Sequence, residues 1–121
     1  MKITTLEELL GTPTAEETTR VVEVAGLGTV RVKAFSVDEY HQARKAATES
    51  GEFDQARWAT MSLHLCVVEP ALTYDQAAQL RKRPHFLIDA LLGAIGELSG
   101  ISVSGHILEE AVDDAERTFR T

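Results

Sequence analysis

The run from Phe86 to Leu98, FLIDALLGAIGEL, carries charge only at Asp89 and Glu97. Phe86, Leu87, Ala90, Leu91, Ala94, Ile95 and Leu98 recur at helical spacing, and Ile88 and Leu92 carry the apolar surface round to another side. A helix with so little polar face has to be covered from more than one direction. It is therefore the central helix of a fold or the seam of a homo-oligomer, with Ile88, Leu91, Leu92 and Ile95 as the positions offered to a second copy. Pro84 suits the first turn of this helix, and Ser99-Gly100 its end. The run is too short to span a bilayer, which takes roughly 20 apolar residues.

The rest of the chain reads as the cover for that helix. Val22, Val24, Val30 and Val32 alternate with Glu23, Arg31 and Lys33, the period-two pattern of half-buried strands. Ala25-Gly26-Leu27-Gly28 joins them, so residues 20–34 are expected to form a two-stranded antiparallel hairpin packed on helices. Ser36 and Glu39 have the spacing of a capping box that opens a helix running to about Glu49, with Tyr40, Ala43 and Ala47 facing inward. Ser50-Gly51 ends it. A second helix is expected from about Phe53 to Val68, with Ala56, Met61, Leu65 and Val68 near one side and Trp58 and Leu63 widening the apolar surface. Thr73 caps a short helix through Leu80, followed by Arg81-Lys82-Arg83, whose charges complement a helix C-terminus.

Two segments flank this set. Thr5 is placed to cap a short helix ending at Leu10, and Gly11-Thr12-Pro13 stops it. Thr14 to Thr19 follows as a mobile linker, so residues 1–19 stand apart from a single domain over 20–121. At the other end Ser104 opens an amphipathic helix over 104–119. Its apolar stripe is Ile107, Leu108, Ala111, Val112, Ala115 and Phe119, with Glu109, Glu110, Asp113, Asp114 and Glu116 on or beside the opposite face. The expected fold class is thus mainly α within α+β: about five helices and an N-terminal hairpin.

Charge narrows the partners. The net charge is −7, and from Phe86 onward seven acidic residues are opposed only by Arg117 and Arg120. Nucleic-acid affinity comes mainly from clustered Lys and Arg, so no nucleic-acid partner is expected. A basic partner surface would be met by the C-terminal third. Cys66 is the single cysteine, which excludes an internal disulfide, and the opening MKITTLEELLG lacks a signal-peptide core. A cytoplasmic, non-membrane protein is the expectation.

Catalytic spacing is not found. His41, His64, His85 and His106 are too scattered to pair on one helix face for a metal, and His64 diverges from Cys66 on a helix. Gly26 and Gly28 lack the third glycine and following helix of a dinucleotide site. The acidic pairs Glu109-Glu110 and Asp113-Asp114 fall on a periodic helix and not in a calcium loop. No enzyme activity, cofactor or metal is expected.

Three stretches, VVEVAGLGTVRVKAFSVDEY, ARWATMSLHLCVVEPALTYDQAAQL and HFLIDALLGAIGELSGIS, follow one another between Val21 and Ser102. In that order the chain resembles the tail assembly chaperones of long-tailed bacteriophages. The resemblance implies a non-enzymatic protein of the infected host's cytoplasm that binds the tape measure protein while tail tube protein polymerises around it, and that is absent from the mature virion. The C-terminal stripe, with Glu109 and Asp113 beside it, is the expected partner-binding surface. The competing functions are a head–tail connector or tail completion protein, and a small helical DNA-binding regulator using Arg81, Lys82 and Arg83.

Overall fold

The structure, a computed structural model, describes residues 1–101. These build an α+β fold of five helices and a three-stranded antiparallel sheet. The order is α1 (Leu6–Leu10), β1 (Thr19–Val24), β2 (Gly28–Lys33), α2 (Val37–Ala47), α3 (Gln55–Cys66), β3 (Val67–Glu69), α4 (Tyr74–Leu80) and α5 (His85–Ser99). The expected helix over 104–119 lies outside the described residues.

The hairpin forms as its alternation demands. Val22 pairs with Val30 and Val24 with Gly28, and Gly26 turns the chain with φ 82°. The expectation of two strands is corrected by a third: α3 stops at Cys66, and Val67–Glu69 pairs with β2 through Arg31↔Glu69 and Val32↔Val67. Physical causes for the early stop are visible locally. Val67 and Val68 are β-branched, Glu69 precedes a proline and is biased away from helical ψ, and β2 has an open edge to receive them. Arg31 and Glu69 add an exposed cross-strand ion pair at 3.3 Å.

Helix boundaries follow their caps. Ser36 accepts from the Glu39 backbone N–H while the Glu39 carboxylate accepts from that of Ser36, completing the expected capping box. Thr73 and Gln76 repeat the motif at α4. At the end of α5, Gly100 takes the left-handed conformation (φ 71°), and the Ile101 N–H donates to the Gly96 carbonyl at 2.9 Å. That pair of features is a Schellman ending, which turns the chain back.

Trp58, fully buried, centres the core. Phe35 stacks on it at 5.9 Å between ring centroids, and Tyr40 meets it edge-on at 5.5 Å. The inner face of α3 accordingly runs through Trp58, Ser62 and Cys66, and not through Ala56 and Leu65, which are only half-buried. Two buried hydroxyls on this helix are satisfied by the preceding turn: Thr60 Oγ1 donates to the Ala56 carbonyl and Ser62 Oγ to that of Trp58. From α5 the core receives Leu87, Leu91, Leu92, Ala94 and Ile95. The apolar run is thus the central helix of the fold, packed on β1, β2 and α3.

Residues 14–18, expected as linker, form a hydrogen-bonded turn. Thr18 Oγ1 donates to the Thr14 carbonyl at 2.8 Å, and the Ala34 N–H donates to the Thr18 carbonyl at 2.9 Å. No residue of α1 is buried.

Candidate functional site

A groove of about 500 Å³ opens between the first turns of α3 and the α4–α5 junction. Its apolar side is built from Ala56, Trp58, Ala59, Ile88 and Leu92, and its polar rim from Gln55, Arg81, Arg83, His85 and Asp89. Local sequence explains both. Asp54 caps α3 and starts it with the small residues Ala56 and Ala59, which leave space beside Trp58. Pro84 permits no helical continuation from α4, so Arg81 and Arg83 stand on a short turn at the mouth. Among the described residues the side chains of Arg81, Lys82 and Arg83 have no carboxylate partner. Asp89 is already engaged, 2.7 Å from His85 Nδ1.

A second polar cluster gathers round a buried lysine and opens to solvent through Glu16. Lys33 alternates to the face opposite Val32, where solvent is expected, yet only 3% of it is exposed. Its Nζ donates to Glu39 Oε1 at 2.5 Å, to Glu16 Oε1 at 3.1 Å and to the Ala34 carbonyl at 3.2 Å. Burial disfavours the ammonium, but the hydrogen bonds to Glu39 and Glu16 outweigh it and hold Lys33 above its ordinary value. Burial likewise pushes the Glu39 carboxyl up, and Lys33 and Ser36 outweigh it and hold it below the usual range. Nearby Cys66 is wholly buried, and burial drives its thiol up to about 12, with Lys33 opposing only in part. Cys66 is a protonated core side chain and a poor nucleophile.

The remaining candidates separate cleanly. Leu91, Leu92 and Ile95 are buried within the chain itself, so of the four positions offered to a second copy only Ile88, half-buried in the groove wall, retains accessible surface. Ile107, Leu108, Glu109, Ala111, Val112, Asp113, Ala115 and Phe119 lie outside the described residues. His64 Nδ1 lies 2.8 Å from the Leu72 carbonyl, a structural tie across the α3–α4 link. Among the described residues no group of three or more His, Cys, Asp or Glu side chains is placed to hold a metal ion. Nor, among them, is any helix long and apolar enough to cross a membrane.

Sequence reading missed the groove. Arg81 and Arg83 entered it as complements to a helix dipole or as the contacts of a DNA-binding regulator, and Ala56 as part of the core. The available signal was negative: the side chains at the start of α3, Ala56 and Ala59, are too small to fill the space beside Trp58.

Comparisons with models of protein families, with curated proteins and with solved structures return no match to this chain.

Proposed function

We propose that this chain is a phage tail assembly chaperone, a non-enzymatic binder of the tape measure protein that works during tail tube polymerisation in the host cytoplasm. The observation that carries the reading is the apolar side chain the fold leaves uncovered: Ile3, Leu6, Leu9 and Leu10 around α1, and Phe86 at the start of α5, are all more than half exposed. Exposed apolar side chains suit masking of a long amphipathic client, which needs contact area and repeated copies rather than a reaction centre. The ordered likeness of three stretches over Val21–Ser102 supports the same reading. The stripe Ile107, Leu108, Ala111, Val112, Ala115 and Phe119 is the client contact, and the acidic residues beside it contribute steering.

Co-purification with a tape measure fragment tests this. Leu108→Asp with Val112→Asp abolishes capture while circular dichroism stays helical; retained capture removes the C-terminal stripe as the contact. Chaperone copies associate in this reading, so light scattering at high concentration exceeds the monomer mass of 13.3 kDa. A strict monomer removes the oligomer.

A further inference from the structure

Two surfaces are left over once the core is built, and their chemistry is complementary. The groove has an apolar wall that includes Ala56, Ala59 and Ile88, and at its rim Arg81 and Arg83 have no carboxylate partner among the described residues. Asp89 on the same rim is taken up by His85. A ligand for this groove carries apolar side chains beside a free carboxylate, and α1 carries both. Leu6, Leu9 and Leu10 stand at i, i+3 and i+4, which places them on one helix face, and all are more than half exposed. Glu7 follows Leu6 by one ~100° step and so borders that face next to Leu10. Glu8, further round, is engaged by Lys2 at 3.6 Å and by the Thr5 hydroxyl at 3.2 Å. Glu7 has no ion-pair partner among the described residues. α1 is five residues long, or ~7.5 Å, and the groove of about 500 Å³ is of a size that holds a short segment.

The groove of its own chain is out of reach for α1. Arg20 pairs with Glu97, and the Phe35 N–H donates to Ser99 Oγ at 2.8 Å, so the start of β1 lies at the C-terminal end of α5. The turn over 14–18 is tied there through Thr18 to Ala34 and through Glu16 to Lys33. The groove lies towards the other end of that helix, with Ile88 ~13 Å from Glu97 along the axis. Thr12 is folded onto α1 by its bonds to the Leu9 carbonyl, so ~7 Å of chain, from Thr12 to Thr14, is all that can swing. We infer that α1 of one copy seats in the groove between α3 and α5 of a second copy, with Leu6, Leu9 and Leu10 on the apolar wall and Glu7 at the arginines. Arm and groove are different surfaces, so each copy has one to give and one to receive. The inference names the contact behind the self-association in the proposed reading; it rests on that association and not on the client. A client that takes the same leucines competes with this contact.

Sedimentation equilibrium on the full chain is the test, with circular dichroism on each variant. One short arm is a small contact, so the wild type associates with a dissociation constant on the order of 10–100 μM. Leu6→Asp with Leu9→Asp, on a helix with no buried residue, weakens association at least about tenfold with helix content retained. Arg81→Glu with Arg83→Glu, both at exposed positions, does the same from the groove side. Mixing the two variants decides the geometry, because the first still has a groove and the second an arm. Their equimolar mixture forms a species of twice the monomer mass although neither variant does so alone, an outcome that misfolded chains cannot give. The inference is overturned if the wild type stays monomeric up to about 1 mM, if either variant associates as the wild type does, or if the mixture stays monomeric. Association that persists in both variants moves the oligomer contact to another surface, and capture of the tape measure fragment is read separately from all of these.

Discussion

Lys33 shows how far a residue's position in a pattern fails to give its environment. The alternation Val30-Arg31-Val32-Lys33 places its side chain on the polar face of the hairpin, and that part was legible. The cover was not: Glu16 comes from the turn before β1 and Glu39 from the capping box of α2, and only the fold brings them to one ammonium. Capping explains Glu39 locally, but its second partner is nonlocal. Glu39→Gln separates the two roles, because the amide oxygen still accepts from the Ser36 N–H while the charge is gone. Breaking a buried pair costs ~3–5 kcal/mol. Glu39 retains partial exposure and Glu16 remains, so about 2–3 kcal/mol is expected from urea denaturation, with helix content unchanged. The pH dependence has a definite sign. Glu39, held below its ordinary value, contributes stability present above about pH 4.3 and lost as pH falls through the folded value. Lys33, held above its ordinary value, contributes stability present below about pH 10.4 and lost as pH rises through the folded value. These groups leave the denaturation midpoint flat from about pH 5 to about pH 8.5, above which the raised Cys66 thiol lowers it as the unfolded thiol ionises, and the acid loss is smaller in Glu39→Gln.

Elements were legible wherever their ends carry local chemistry. Ser36 with Glu39, Thr73 and Gly100 each mark a boundary found in the structure, while Asp54 as the cap of α3 and Gln76 as the partner of Thr73 emerged only with the fold. The end of α3 has no such cap. Leu65, Cys66, Val67 and Val68 read equally as the last turn of an apolar helix or as a buried strand, and what separates them is the open edge of β2. Tertiary pairing decided that boundary. Two substitutions probe these ends. Gly100→Ala forces a Cβ into the left-handed conformation and costs about 1 kcal/mol, seen as a lower thermal midpoint with α5 still helical. Ser36→Ala removes the side-chain acceptor for the Glu39 N–H and costs about 1 kcal/mol by urea denaturation. A loss well beyond that would mean that the cap also holds Glu39 against Lys33.

At the scale of the whole molecule, so apolar a run left two readings in the sequence, central helix or oligomer seam. Only the fold, which buries Leu91, Leu92 and Ile95 within the chain, shows it as the central helix and shows which helices border it. The groove arises from that adjacency: α3 meets α4 and α5 at a point where Ala56 and Ala59 are too small to fill the space beside Trp58. The same scale governs α1. Residues 1–13 are exposed throughout, so their apolar side chains contribute little burial energy, although Ile3, Leu6, Leu9 and Leu10 are of the kind that elsewhere forms cores. Stability and binding should therefore separate on truncation. A chain beginning at Thr14 keeps Thr18 and Glu16 in their contacts with β2, and its free energy of unfolding stays within about 0.5 kcal/mol of the full chain. If α1 is part of the client-masking surface, the same truncation weakens capture of a tape measure fragment several-fold. Titration calorimetry on both forms measures the affinity and urea denaturation the stability. A truncated chain with unchanged affinity would confine client contact to the body and the C-terminal segment. One that unfolds early would show that α1 belongs to the fold after all.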